Sequence, residues 1–238
     1  MKFNKLSTVI FMALLCMPAS AQKRAFSIED IYRVKTAYGP TVSSAGDMIY
    51  TLSSSNLAKQ TSTSNIYTAG GKAVTTDNQS YSPQWSSDGK YIYYTSSNSG
   101  LPQVWRANAD GSAAEQLTDY KLGVQGAVVS PDGRYIAFAA EVDPDLNDAD
   151  GSLNKEAREA KRKNPIQAHI TDHLLFRHWT EYSDGRYWHI IVFDTKSKTY
   201  KDVTPGKFHS PVFSPSGPTG FVFSPDSKEL CYLSNHDE

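Results

Sequence analysis

Short runs in which aromatic and β-branched residues mix with polar ones recur along the chain, and each is broken by a turn signal. The clearest run is residues 82–96, SPQWSSDGKYIYYTS, in which Asp88 and Gly89 separate two apolar stretches. An Asp side chain can hydrogen-bond to the backbone that follows it, and Gly adopts a positive φ without a Cβ clash. Aromatic and β-branched residues favour strands, so this segment predicts two antiparallel strands joined by a tight turn.

The same pattern returns elsewhere in the chain, at residues 127–140 (AVVSPDGRYIAFAA), 221–234 (FVFSPDSKELCYLS) and, in a weaker form, 38–53 (YGPTVSSAGDMIYTLS). Asp88 and Asp132 lie 44 positions apart, and Asp132 and Asp226 lie 94 positions apart, which is close to two steps plus an insertion. A period of roughly 40 to 45 residues built from short strands is typical of β-propeller blades. The pattern therefore predicts an all-β fold of the propeller class.

Strand patterns divide residues 41–238 into about three and a half four-stranded blades. The predicted strands are 48–52, 65–69 and 73–75 in the first blade, and 83–85, 91–96, 103–108 and 115–118 in the second. In the third blade, which opens at Val124, strands are predicted at 174–179, 187–194 and 200–203, and a fourth blade begins at Ser210. Closed propellers use at least four blades, so we expect that the sequence is cut within a propeller.

The third blade is interrupted by a charged, partly helical insertion at about 141–172, with a helix predicted over 153–163. Its basic residues alternate with Glu156 and Glu159 at helical spacing, which favours a solvated helix face. These basic residues are Arg158, Lys161, Arg162 and Lys163. The acidic run that begins at Asp143 lacks the Gly and the Glu that a calcium loop requires at its sixth and twelfth positions, so no metal site is predicted.

The N-terminus has the pattern of a secretory signal peptide over residues 1–21. Lys2 and Lys5 precede an apolar stretch at 6–17, and small residues follow at 19–21. The apolar stretch is short for a membrane span, so we expect an exported chain, periplasmic or secreted, that leaves the membrane after cleavage. Residues 22–40 then form a lead-in with a helix predicted over 28–35, and Cys231 is expected to be a buried thiol.

Composition excludes several classes of function. With 39% hydrophobic residues, 12% aromatic residues and a net charge of −1, the 238-residue chain can bury a core but lacks the basic excess of a nucleic-acid-binding protein. No Gly-x-Ser-x-Gly segment of a nucleophile elbow occurs, and the recurrence of Ser-Pro-Asp-Gly at blade spacing indicates turns rather than catalytic groups. No cofactor, metal or catalytic residue is predicted in this chain.

One stretch carries a resemblance to a known family. It contains Arg177-His178-Trp179, then Ser-Asp-Gly at 183–185, then His189 and an apolar strand that ends at Asp194. Together these features resemble the propeller of prolyl oligopeptidase family peptidases. The nearest members are type-V dipeptidyl peptidases and acylaminoacyl peptidases. The resemblance implies a propeller that admits short peptides to a downstream α/β-hydrolase domain, in which Ser, Asp and His form the catalytic triad.

Four residues beside the insertion are the candidates for substrate contact: Arg177, Trp179, Glu181 and Tyr182. An Arg or Glu at this place can pair with a peptide terminus. The alternative is that the two aromatic residues belong to the blade core and that Arg177 is a structural ion-pair member. A different class of function is a stand-alone propeller that binds protein or glycan. Uncovered blade faces also predict association into oligomers.

Overall fold

A computed structural model describes residues 24–146, 148–169, 177–178, 181–182, 184–212, 220–234 and 236. The predicted signal peptide, residues 1–21, lies outside them. In the lead-in, the carboxylate of Asp30 accepts a hydrogen bond from the Ser27 backbone N–H at 2.9 Å, and a 3₁₀-helix follows at Ile28–Arg33. This helix is shorter than the predicted span, 28–35. Among the described residues, no helix combines the length and the apolar character that crossing a membrane requires.

The strands form antiparallel, blade-like sheets. Blade 1 contains β1 (Thr36–Val42), β2 (Met48–Asn56) and β3 (Thr61–Thr68). Blade 2 contains β4 (Ser80–Trp85), β5 (Tyr91–Ser96), β6 (Gln103–Asn108) and β7 (Glu115–Gln116). Blade 3 begins with β8 (Gln125–Val129) and β9 (Tyr135–Val142), and helix α1 (Ser152–Lys163) and a ribbon of β10 (Arg177–His178) and β11 (Glu181–Tyr182) follow. Strands β12 (Tyr187–Asp194) and β13 (Thr199–Asp202) complete blade 3, and a hairpin of β14 (Phe221–Phe223) and β15 (Leu230–Tyr232) comes next.

The central strands of blade 3 are apolar on both faces, which explains why the blades stack. In β9, Ile136 and Phe138 are fully buried in a cluster with Tyr93 of blade 2. The intervening Ala137 packs instead in a cluster with Phe221 of β14. Successive side chains of a strand point to opposite faces, so one face of β9 packs against blade 2 and the other against the β14–β15 hairpin. The predicted all-β propeller architecture is confirmed by this arrangement.

The Ser-x-Asp turns form a repeated hydrogen-bond network. In blade 2, the Ser86 hydroxyl donates to Asp88 Oδ1 at 2.7 Å and accepts the Tyr91 N–H at 2.9 Å. Two other turns repeat this network with hydroxyl-to-carboxylate distances of 2.6 and 2.7 Å: Ser130 with Asp132, and Ser224 with Asp226. The interpretation of these residues as turn chemistry is therefore confirmed.

Neighbouring turns also contact each other across the blades. The Ser87 hydroxyl donates to the Pro131 carbonyl at 2.7 Å, and the Asp132 N–H donates to the Ser227 hydroxyl at 3.0 Å. Each of these turns joins the first and second strands of a blade, so they share one end of the propeller, which we call the turn end. Because the strands are antiparallel, the connection between the second and third strands of blade 3 lies at the opposite end.

A threonine near the end of each blade replaces part of the outer strand. We call these residues latch threonines: the hydroxyl of each accepts a hydrogen bond from a backbone N–H in the third strand of its blade. The pairs are Thr75 with Ile66 at 2.9 Å, Thr118 with Val104 at 2.9 Å and Thr204 with Ile190 at 2.8 Å. In blade 2, the buried Gln103 accepts a further bond from the Thr118 hydroxyl at 2.8 Å. A buried N–H needs a partner, and the latch supplies it where the outer strand is short.

The structure corrects three expectations. The predicted strand at 73–75 is a single bridge at Ala73, because the latch hydroxyl of Thr75 takes up the Ile66 N–H in its place. Residues 177–178, predicted within a blade strand at 174–179, pair instead in the ribbon, and blade 3 is complete without them; residues 174–176 lie outside the described part. Cys231 is exposed, since it pairs with the exposed Val222 on a hairpin face that no described residue covers.

Candidate functional site

The segment between β9 and β12, residues 143–186, is the blade 3 insertion. Val142 and Tyr187, the residues on either side of it, are paired neighbours in the sheet. The insertion therefore projects from the end of the propeller opposite the turn end. The predicted insertion, 141–172, begins two residues early, within β9, and ends 14 residues short of β12, whereas the predicted helix at 153–163 corresponds to α1.

The start of α1 is fixed by a buried amide. Asn154 is only 3% exposed, and its side-chain oxygen accepts the Asp143 N–H at 2.7 Å. The Asn154 N–H donates in turn to Asp148 Oδ2 at 2.8 Å. Gly151 has a φ of 86°, and a Cβ there would lie 3.3 Å from the Tyr120 ring. The acidic run thus shapes this turn, and the helix begins in close contact with the core between blades 2 and 3.

An ion-pair network joins the last part of α1 to the blade. Lys161 Nζ lies 2.7 Å from Asp184 Oδ2, and Arg186 Nε lies 2.6 Å from Asp184 Oδ1. Arg186 Nη1 also lies 2.8 Å from Glu141 Oε2, at the end of β9. Arg158 donates a hydrogen bond to the carbonyl oxygen of the same Glu141. Helix α1 is therefore held to both strands from which the insertion leaves the sheet.

The charges within the network shift each other's ionisation. Burial opposes ionisation of Asp184, but the hydrogen bonds from Lys161 and Arg186 outweigh it and lower the pKa of this carboxyl. Burial, followed by the positive charge of Arg186, lowers the pKa of the Arg158 guanidinium. Arg158 Nε is buried and has no hydrogen-bond partner among the residues described. Within the described part of the chain, this network joins the carboxylates of Glu141 and Asp184 to Arg158, Lys161 and Arg186.

The expected solvated basic face of α1 is only partly correct. Arg158 is half-buried against the blade, and Lys161 pairs with Asp184 although its side chain is 54% exposed, whereas Arg162 and Lys163 are exposed without a described ion pair. The partners of the first two, Glu141 and Asp184, are far from them in sequence. Helical spacing shows which residues share a face, but it does not show what that face meets.

Two clefts flank α1. The network cleft, of about 320 Å³, is bordered by four network residues together with Asp143, Asn154 and Arg162; the four are Arg158, Lys161, Asp184 and Arg186. The outer cleft, of about 270 Å³, lies on the side of Leu101 and Leu122 and is bordered by Lys155 and Arg162. Both clefts are lined by side chains from α1, so the position of this helix determines their shape.

A larger cleft, of about 450 Å³, lies at the turn end between blades 2 and 3. Several of its polar groups are already engaged: the Ser86 hydroxyl donates to Asp88 within their turn, and Arg106 pairs with Glu115. The buried Trp85 Nε1 has no hydrogen-bond partner among the described residues. The Arg106 guanidinium also lies 4.8 Å from the centre of the Tyr91 ring. The charged groups of this cleft, Asp88, Arg106 and Asp132, are thus bound to neighbouring residues, which favours the insertion over the turn end as the candidate site.

The sequence-predicted site residues are brought together in part. Arg177 pairs with Tyr182 in the β10–β11 ribbon, where Glu181 occupies the neighbouring register position, and Trp179 lies outside the described residues. The half-buried ring of Tyr182 stacks on His169, with ring centres 3.8 Å apart and an interplanar angle of 6°. This stack ties the ribbon to the chain that follows α1. Contact of the four residues with substrate stays a prediction.

Comparison with known proteins finds no matching family model. Dipeptidyl-peptidase 5 of Porphyromonas endodontalis is 27% identical over 175 residues, which cover 70% of this chain and 23% of that protein. The uncharacterized peptidase YuxL of Bacillus subtilis is 27% identical over 217 residues, 87% of this chain and 32% of that protein. This chain is related to the propeller region of prolyl oligopeptidase family peptidases. It spans only about a quarter to a third of the length of these two relatives.

A solved structure supports the fold. The acylaminoacyl peptidase of Pyrococcus horikoshii matches with a TM-score of 0.56 and 15% identity, over 79% of this chain and 28% of that chain. At this identity the likeness concerns architecture alone. The resemblance read from the segment around Arg177 is thus confirmed at the level of the family and the propeller.

Proposed function

We propose that this chain is the substrate-gating, non-catalytic propeller part of an exported serine exopeptidase that releases dipeptides or acyl-amino acids from peptide N-termini. The observation that carries the proposal is the relation to dipeptidyl-peptidase 5 over 70% of the chain. The chain has no Gly-x-Ser-x-Gly segment, so bond cleavage belongs to a hydrolase domain downstream in the same polypeptide. In that domain Ser attacks the peptide carbonyl, His moves the proton and Asp orients His.

The gating part of the proposal is supported by the placement of the insertion. Among the described blades, blade 3 carries α1 and the ribbon; the ion-pair network holds α1 against the blade, and the stack of Tyr182 on His169 joins the ribbon to the chain after α1. A fixed projection can restrict access to short or unfolded peptides. Three of the four candidates, Arg177, Glu181 and Tyr182, belong to the ribbon, where an acidic group can pair with a peptide amino terminus. Trp179, the fourth, remains a candidate from the sequence alone.

Export forms the remaining part of the proposal. It rests on the signal pattern of residues 1–21, with Lys2 and Lys5 ahead of an apolar stretch. N-terminal sequencing of the protein purified from the culture medium or the periplasm tests it. A chain that begins at Gln22 is expected, and a chain that retains Met1 in the cytoplasm would contradict it.

The first test is activity. The 238-residue chain should show no turnover of dipeptide or acyl-amino-acid reporters, because a propeller supplies no activated nucleophile. A polypeptide expressed from the complete natural reading frame should cleave them and be blocked by a serine-directed inhibitor. Inhibitor-sensitive turnover by the short chain, or inactivity of the complete polypeptide together with tight binding of a protein or glycan, would overturn the proposal in favour of a binding module.

The second test addresses the role of Glu181. In the complete polypeptide, Glu181→Gln should raise KM about tenfold or more for a dipeptide reporter with a free amino terminus, because a charge-assisted hydrogen bond contributes about 1.5–3 kcal/mol. The N-acetylated form of the reporter should be unaffected. Glu229→Gln, an exposed acid in the turn between β14 and β15, is the matched control. Equal effects on both reporters would exclude recognition of the peptide amino group.

A further inference from the structure

The outer cleft combines an apolar wall with two cations that have no ion-pair partner among the described residues. Leu101 and Leu122 contribute apolar surface, and Lys155 and Arg162 of α1 border the opening. Neither Lys155 nor Arg162 forms an ion pair with any residue that the structure describes. Both are exposed, so these charges are available to a ligand.

The charge of the cleft differs from that of the whole chain. Four cations line it, Lys121, Lys155, Arg158 and Arg162, against the single carboxylate of Glu159, whereas the chain as a whole carries a net charge of −1. Two of these cations have partners elsewhere, since Lys121 pairs with Asp119 and Arg158 contacts Glu141. The remaining surplus is positive, and it favours a ligand that bears negative charge next to apolar groups.

The spacing of the two free cations indicates the shape of that ligand. Lys155 and Arg162 are seven positions apart on α1, which corresponds to about 10.5 Å along the helix axis. An extended polyproline II peptide rises about 3.1 Å per residue with three residues per turn, so its side chains at i and i+3 lie on one side about 9 Å apart. Two carboxylates at that spacing match the two cations, with the residues between them facing the leucines.

We propose that the outer cleft binds an extended acidic peptide segment in which two carboxylates three positions apart flank apolar residues. Lys155 and Arg162 pair with the carboxylates, and Leu101 and Leu122 contact the residues between them. The inference deepens the proposed function by naming the peptide class that the propeller selects, and it rests on that function only in taking a peptide as the ligand. It involves no chemical step.

The test is a calorimetric titration of the full chain, at low ionic strength, with acetyl-Glu-Leu-Pro-Glu-amide and with its isostere acetyl-Gln-Leu-Pro-Gln-amide. The blocked ends remove terminal charges, so only the side-chain carboxylates differ. Two ion pairs of typical surface strength should make the Glu peptide bind about fivefold tighter. Raising the salt concentration should reduce this preference, because exposed charges are screened.

The variant Lys155→Gln/Arg162→Gln should abolish the preference. Gln keeps a similar helix propensity, and helical circular dichroism verifies that α1 remains. The matched control, Lys163→Gln/Lys196→Gln, removes the same net charge from positions outside the cleft and should retain the preference. Equal binding of the two peptides, no binding of either, persistence of the preference in the first variant or its loss in the control would each overturn the inference. Binding is measured without catalysis, so such a failure is distinct from failure of the activity test.

Discussion

Replacing Asp184 by Asn should release α1 from the blade. The substitution keeps the shape of the side chain but removes the charge that bridges Lys161 and Arg186. The Asp184 side chain is 16% exposed, against 54% for Lys161 and 23% for Arg186. We therefore count the lysine contact as a surface ion pair and the arginine contact as a shielded, charge-assisted hydrogen bond.

The expected magnitude follows from these exposures. A surface pair contributes about 0.5 kcal/mol, and a hydrogen bond to a charged partner about 1.5 kcal/mol. Their loss should favour local opening of α1 by about 2 kcal/mol, which raises the opening equilibrium roughly 30-fold. Hydrogen exchange with mass spectrometry measures this directly as faster exchange of the α1 amides, while β9 and β12 keep their protection.

Asp145→Asn is the matched control. It breaks an ion pair with Lys207 in the same insertion, but both side chains are well exposed, at 70% and 63%. The free energy of opening should change by less than about 0.5 kcal/mol in this control. The reasoning would be refuted if Asp184→Asn left the exchange of α1 unchanged, or if it accelerated exchange equally throughout the blades.

Two further predictions concern stability. Thr118→Val leaves the buried Val104 N–H without its acceptor and should lower the free energy of unfolding by about 2 kcal/mol, whereas Thr118→Ser should lower it by less than about 1 kcal/mol. Denaturant titration followed by tryptophan fluorescence measures both variants. Equal losses of stability would contradict a role for the hydroxyl. Burial, and then the nearby His189, lower the pKa of His209, whose Nδ1 accepts the Trp188 N–H at 3.1 Å. The unfolded state therefore binds more protons as the pH falls below about 6.5, so Tm should drop there and drop less in His209→Gln; parallel pH profiles would exclude His209 as the cause.

The parts of the fold that local chemistry specifies could be predicted from the sequence. The turn at Asp88 and Gly89 needs only residues within a few positions of each other, and the predicted spans for β5 and β6 agree with the observed ones. Strand β1 was indicated only by the weak copy of the hairpin pattern at 38–53 and was not among the strands assigned to the first blade, because Gly39, Pro40 and mostly exposed residues give it little strand pattern. The recurring threonine after an apolar residue, as in Thr118, was a signal in the sequence, but its partner lies 14 positions away.

The candidate site depended more on distant contacts. The sequence identified the insertion and the residues around Arg177, because charge and motif are local properties. It did not predict that Arg158 would be half-buried against Glu141, 17 positions earlier. It also did not predict that Tyr182 would stack on His169, since the intervening chain shows no regular spacing from which this contact follows.

Because Val142 pairs with Tyr187, the insertion could be replaced by a short turn without loss of the pairing between β9 and β12. Neighbouring antiparallel strands lie only about 5 Å apart, a gap that a two-residue turn such as Asn-Gly spans in an ordinary hairpin. The blade's hydrogen-bond ladder is therefore complete whatever is placed between these two residues. Under the proposed gating role, exchange of residues 143–186 would alter the surface that faces a substrate, whereas the strands that carry these residues would keep their pairing.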